Sequence, residues 1–252
     1  MYLGKIIIME KKISYPLLTN AFSSADINSG IKVLKSKHIT MSKITRSFEK
    51  QFCKKIRCKY ALMTNSGSSA NLLAISAIIN PLFKNKLKPG DEVIIPAVCW
   101  STSLWPIIQN NLKPVFVDVE LETFNMSIDS LKSKISSKTK AIMCIHVLGT
   151  STNLNQIKSV IKKKNILLIE DTCESLGAKF NNKYLGTFGE FGTFSFYYSH
   201  QITSGEGGMI VCNNFHNYNI VKSLRSHGWS RETNFHNYYK KRFKKIDERF
   251  LF

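Results

Sequence analysis

The chain has 252 residues, 43% of them apolar, and carries 36 Lys and Arg against 17 Asp and Glu, a formal net charge of +19. That length and apolar content suit one large α/β domain, and no apolar run approaches the ~18 residues a membrane helix needs. The positive charge is spread over helix faces and loops (Lys32, Lys35, Lys37, Lys54, Lys55 and residues 162–164). It therefore reads as solvated surface that helps to attract phosphate-bearing substrates, not as a nucleic-acid platform.

The opening MYLGKIIIMEKK has only a short apolar patch between lysines, so residues 1–13 read as a ragged start and not as a signal peptide. Six cysteines stand at positions 53, 58, 99, 144, 173 and 212 without a Cys-x-x-Cys pair. They fit reduced thiols of a cytoplasmic enzyme, with no metal site expected.

In chain order, residues 14–43 begin SYPLLTNAF and continue with Ile27, Ile31 and Leu34 at helical spacing. Ile44, Phe48, Phe52 and Ile56 recur every four residues, the mark of an amphipathic helix, and KYALMTN is a short strand. SGSSANLLAISAII is a Gly-Ser turn opening into an apolar helix. Its exposed N–H groups suit a phosphate, although a plain serine N-cap reads the same way.

Pro89-Gly90 predicts a turn, Val93 to Ile95 a strand, and the residues after Trp100 a helix. Trp100 falls just past the strand end, where α/β crevices lie, as core or as a flat platform. KPVFVDVE and KAIMCIHVLGT predict strands, and SIDSLKSKI and NLNQIKSVIKKKN helices. This alternation with short links predicts a doubly wound, mostly parallel sheet. Ile166 to Ile169 is a further strand, with Glu170, Asp171 and Glu174 at its C-terminal end. Asp171 there reads either as a helix N-cap or as a carboxylate facing a ligand.

The rest is organised around GTFSFYYSHQITSGEGGMIVC, residues 192–212. Two β-favouring runs, one reaching Ser195 and one from Met209 to Cys212, flank a polar, Gly-bounded loop that holds His200. A helix with Ile220, Val221 and Leu224 follows, and His227 stands before Gly228 in His-Gly-Trp, at an expected helix end.

Taken together, Gly-Ser-Ser at 67–69, Pro-Ala-Val-x-Trp-Ser-Thr around Trp100, Ile-Glu-Asp-x-Cys-Glu-Ser around Asp171 and Ser-Phe…Gly-Glu-Gly-Gly resemble the DegT/DnrJ/EryC1/StrS family of sugar aminotransferases, which use pyridoxal 5'-phosphate. The resemblance runs from SYPLL to Trp229. It implies an aspartate-aminotransferase-like large domain of fold type I, with a mostly parallel mixed sheet flanked by helices. Residues 1–252 would then hold the cofactor-binding domain, and the family's smaller C-terminal domain would be missing. It also implies a homodimer.

In the family a lysine tethers the cofactor where His200 stands here, and no lysine occurs between Lys183 and Lys222. An imidazole has no primary amine for that tether, yet it moves protons near neutral pH. The resemblance is accordingly to the branch that removes the 3-hydroxyl of a nucleotide-linked 4-keto-6-deoxy sugar, in deoxysugar and O-antigen biosynthesis, with glutamate as amino donor and pyridoxamine 5'-phosphate as the working form. A sister group also has the histidine but adds an iron–sulfur cluster near the His-Gly-Trp region. The chain has no cysteine after Cys212, which speaks against that version. Implied roles are phosphate binding by Gly67, Ser68, Ser69 and Ser195, ring stacking by Trp100, and a partner for the ring nitrogen at Asp171. Glu174 would approach the ring hydroxyl, His200 would be catalytic and His227 would support it. A conventional aminotransferase and a truncated, non-catalytic partner subunit are the alternatives.

Overall fold

A computed structural model of the chain describes residues 20–251, apart from the side chains of Lys163 and Glu248. The ragged start and the SYPLL segment expected from the sequence lie outside these residues. Two compact units divide between Ile39 and Thr40. In the first, α1 (Ser24–Ser36) starts from a capping box in which the Ser23 hydroxyl accepts the Asp26 N–H and the Asp26 carboxylate accepts the Ser23 N–H. It ends at Lys37 in the left-handed region.

The second unit is built on a seven-stranded sheet. Its strands are β1 (Tyr60–Thr64), β2 (Glu92–Pro96), β3 (Lys113–Val117), β4 (Thr139–Ile145), β5 (Leu167–Asp171), β8 (Phe191–Ser195) and β9 (Gly208–Cys212), in the order β1-β9-β8-β5-β4-β2-β3. From β8 to β3 every neighbour is parallel, and only β9 runs against its neighbours β8 and β1. A two-stranded ribbon of β6 (Lys179–Phe180) and β7 (Lys183–Tyr184) stands apart from this sheet. The mostly parallel mixed sheet is as expected. The ribbon was not, because two-residue strands carry no periodicity to read.

Alternation along the central strands sorts the core into two faces. Val93, Ile95, Met143, Ile169, Phe191 and Ile210 meet α3 (Gly67–Ile79), α4 (Ser101–Gln109) and α7 (Phe215–Arg225) on one side. Ile94, Ile142, Cys144 and Leu168 meet α5 (Ile128–Lys134) and α6 (Leu154–Lys164) on the other. On that second side, α2 (Lys43–Ile56) covers β8 and β9 through edge-on aromatic contacts, Phe52 to Phe194 at 5.0 Å and Phe48 to Phe196 at 5.4 Å. Each fully buried ring here contributes roughly 1.5–3 kcal/mol. The four-residue stripe of α2 buries only toward its C-terminal end, and Ile44 stays exposed. A last short helix, α8 (His236–Arg242), has no fully buried residue and no strong sequence signal.

Candidate active site

The C-terminal ends of the parallel strands open on a cleft of about 650 Å³, where the sheet's loops and two helix N-termini converge. The first is that of α3. Its N-cap is Ser66, whose hydroxyl accepts the Ser69 N–H at 3.1 Å. Gly67 and Ser68 then line the cleft at the positive end of the helix dipole. Gly67 has to be glycine: an added Cβ would stand 2.7 Å from Cβ of Ser195 and 2.8 Å from Sγ of Cys173. Gly208 plays the matching part on β9, since a Cβ there would meet the Ser66 carbonyl at 2.3 Å. These two residues let the end of the sheet and the start of α3 close on each other around Ser195, which is itself buried.

The second N-terminus is that of α4, with Trp100 as an N-cap that makes no side-chain cap bond. Trp100 is 72% exposed at the cleft wall, an apolar plate with nothing over most of its surface.

Asp171, the last residue of β5, lies at the cleft floor and is only 5% exposed. Its partners among the described residues are all neutral. Oδ2 accepts from Nδ2 of Asn71 at 2.8 Å and from Oγ of Ser103 at 2.7 Å, and Oδ1 accepts the Cys173 N–H at 3.1 Å. Asn71 is held in turn by the Thr193 hydroxyl, which donates to its Oδ1 at 2.6 Å. Burial and then the Asp171 carboxylate push the thiols of Cys99 and Cys173 upward, so both are protonated at neutral pH. No helix follows Asp171. The chain turns instead toward the β6–β7 ribbon, which removes the N-cap reading and leaves Glu174 in a turn. From there the Glu174 carboxylate accepts the Leu148 N–H at 3.4 Å.

Residue 170 points to the other side of the sheet. Glu170 accepts the N–H groups of Gly186, Phe188 and Gly189 at 2.8, 2.6 and 2.7 Å, and its Oε1 lies 3.1 Å from Nε2 of His146. Both side chains of that pair are fully buried.

The loop between β8 and β9 forms the remaining wall. Its base is closed by the Phe196 N–H donating to the Gly207 carbonyl at 2.8 Å, and the Ser204 N–H donates to the Phe196 carbonyl. His200 stands on this loop, half-buried, with Ser199 and Glu206 beside it in the cleft lining. Its own N–H donates to the Tyr197 carbonyl at 3.1 Å, and the Tyr197 ring meets the imidazole edge-on at 6.3 Å. Gln201 ties the loop across the cleft, Nε2 donating to the Glu174 carbonyl at 2.7 Å.

Of the residues singled out in the sequence, Gly67, Ser68, Trp100, Asp171, Glu174, Ser195 and His200 line this one cleft. Ser69 sits in the first turn of α3 with its N–H taken by Ser66, and is not part of the lining. His227 is also not in the lining. It is exposed, in the left-handed region at φ 60° just past the end of α7, followed by Gly228 at φ 92°. Sequence reading missed Asn71, Ser103 and Thr193. The serine N-cap read in SGSS is Ser66, whereas nothing local connects Asn71 to a residue one hundred positions on.

Comparison with known proteins gives one consistent picture. A model of the DegT/DnrJ/EryC1/StrS aminotransferase family matches residues 21–246. The GDP-4-keto-6-deoxy-D-mannose 3-dehydratase of Escherichia coli O55:H7 is 45% identical over 219 residues, which cover 87% of this chain and 56% of the relative. A solved E. coli GDP-4-keto-6-deoxy-D-mannose-3-dehydratase with bound hydrated PLP superposes with a TM-score of 0.82 at 44% identity, covering 86% of this chain and 56% of that one. A GDP-4-keto-6-deoxymannose-3-dehydratase with a trapped PLP-glutamate geminal diamine superposes equally well, at 44% identity and the same coverage. The chain thus spans little more than half the length of these relatives.

Proposed function

The chain belongs to the DegT/DnrJ/EryC1/StrS aminotransferase family, and from that premise we propose that it takes part in removing the 3-hydroxyl of a nucleotide-linked 4-keto-6-deoxy sugar with pyridoxal phosphate held without a covalent tether. The observation that carries this reading is that His200 and the buried Asp171 share one cleft whose lining, among the described residues, contains no lysine. The two dehydratase relatives solved with this cofactor or its glutamate adduct support both the cofactor and glutamate as the amino donor. The guanosine-diphosphate sugar in the relatives' names is the first substrate to try.

The residues present fit the cofactor. Gly67 and Ser68, at the head of a helix whose backbone a Cβ would crowd, and Ser195 beside them would hold the phosphate. Trp100 offers the ring a flat apolar face. Asp171, buried and bonded among the described residues only to neutral donors, would accept a hydrogen bond from a protonated ring nitrogen and gain a positive partner. When bound, the cofactor supplies an electron sink and, in its amine form, the nitrogen that condenses with the 4-keto group. His200 then takes a proton on an imidazole nitrogen and returns it to the departing 3-hydroxyl, general acid–base work that an imidazole can do from either ring nitrogen. Ser69 helps set the first turn of α3, and His227 supports the site only if the rest of the assembly brings it near.

We further propose that the working unit is a homodimer in the cytoplasm. More than half of Trp100 and of Trp105 is exposed around α4, surface that a second copy would cover. No described helix is long and apolar enough to cross a membrane.

Mass spectrometry of the sugar product after incubation with glutamate and the keto-sugar tests the reaction. Loss of the oxygen at C3 is the expected result. Gain of an amine at C4 would establish an aminotransferase instead, and an unchanged sugar under conditions where the cofactor binds would favour a non-catalytic subunit.

A further inference from the structure

Far from the strand ends that form the cleft, α2 closes on a pair of cysteines. Arg57 caps the helix in the left-handed conformation at φ 59°, and the N–H groups of Arg57 and Cys58 both turn back to the Cys53 carbonyl, that of Cys58 at 3.1 Å. In a helix ending of this kind the residue just beyond the left-handed one folds back onto the residue four positions before the left-handed one. Here those two are Cys58 and Cys53. Both are half-buried and pack together on the aromatic cluster under α2, whereas Cys144 and Cys212 are buried.

The Cys58 thiol donates to the Tyr60 carbonyl at 3.6 Å. Its nearness lowers the Cys53 pKa against the opposing effects of burial and of the Glu49 carboxylate one turn earlier, while the Cys53 thiol and then burial raise that of Cys58. Cys53 also lines a surface groove of about 600 Å³ together with Lys43, Arg46, Lys50 and Lys59. One reactive thiol, one partner thiol in contact and a cationic approach are the parts of a two-cysteine exchange site.

We propose that Cys53 and Cys58 form a reversible disulfide by exchange with an anionic small-molecule disulfide of the glutathione type, Cys53 attacking and Cys58 resolving. The Cys53 sulfur, as thiolate, attacks one sulfur of glutathione disulfide and the first glutathione thiolate leaves. The Cys58 thiol then loses its proton and attacks the Cys53 sulfur, expelling the second glutathione. Two protein thiols are oxidised and one external disulfide is reduced to two thiols. The basic wall raises the local concentration of the oxidant, which carries net negative charge.

This inference does not depend on the proposed function, and its test uses no substrate. The full chain is exposed to glutathione disulfide, quenched with acid, alkylated and mapped by peptide mass spectrometry. The wild type is expected to give a single Cys53–Cys58 linkage, two hydrogens lighter than the reduced peptide and reversed by dithiothreitol. Cys58→Ser is expected to stop at a glutathione adduct on Cys53. The wild-type rate is expected to fall about tenfold in high salt or in the Lys50→Gln, Lys59→Gln double variant, while the rate with neutral hydroxyethyl disulfide holds steady. Adducts that accumulate on Cys99 or Cys173 instead, or a Cys53 adduct that the wild type never resolves, would overturn the proposal. A rate with glutathione disulfide that ignores salt would remove the groove from it.

Discussion

Two carboxylates stand next to each other at the end of β5, both buried, and they have opposite fates. Glu170 points to the α5–α6 side of the sheet, where three backbone N–H groups and the buried His146 satisfy it completely. Asp171 points to the α3–α4 side, into the cleft, where its donors among the described residues are an amide, a hydroxyl and one backbone N–H. Burial therefore does not distinguish a structural acid from a functional one. What separates them is whether the fold has already supplied everything the charge can use.

That contrast is sharpest in Glu170→Ala. Four polar partners would be left without an acceptor in a closed space, and the loop over residues 186–189 would lose its anchor. Chemical denaturation should show a loss of about 3–5 kcal/mol, the scale for breaking a buried charged network from one side. A loss below ~1 kcal/mol would mean that the two carboxylates are not as different as their hydrogen bonds imply.

Asp171→Asn should behave in the opposite way. An amide can keep most of the local bonds, so stability should shift by less than about 1 kcal/mol. Affinity for pyridoxal phosphate, followed by its absorbance, should fall about 10- to 100-fold, the worth of one charge-assisted hydrogen bond. Unchanged affinity would separate Asp171 from the ligand.

Gly67→Ala tests the floor of the same cleft by sterics. Its methyl group would have to displace Ser195 or Cys173, at a cost of about 1–3 kcal/mol in stability. Cofactor binding should be lost along with it.

Gln201→Ala is the mildest change. It removes the tie from the His200 loop to the Glu174 carbonyl, which is exposed, so stability should move by no more than about 0.5 kcal/mol. The expected signature is a faster backbone hydrogen exchange over residues 197–204, with the rest of the chain unaffected.

The sequence made one of the two acids easy to notice and the other easy to misread. Asp171 stood out because a strand pattern ends just before it and it sits in the Ile-Glu-Asp-x-Cys-Glu-Ser motif. Glu170 looked like part of the same acidic cluster, since no local pattern says that Gly186 and Gly189 fold back to it. The same limit applied elsewhere. Strands, amphipathic helices and the Gly-bounded loop are periodic or composed of turn-formers, so β1, α3, β8 and β9 were readable. Asn71, Ser103 and Thr193 act only through tertiary partners in distant elements, and no single window contains both ends of such a bond. The N-cap alternative at Asp171 falls for a related cause. A carboxylate before a turn looks like an N-cap until the following residues, with Gly177 at φ 87°, are seen to turn the chain toward a ribbon.

The central claim is that the cleft holds its cofactor with no amine from the chain and leaves an imidazole in that place. Its most direct test is to add pyridoxal phosphate to the native chain and to His200→Lys, reduce each with borohydride, unfold them and map any peptide that keeps the cofactor. The account predicts reversible binding that washes away from the native chain, and a reduced, covalent adduct at position 200 in the variant. Covalent capture of the cofactor on any lysine of the native chain would contradict it.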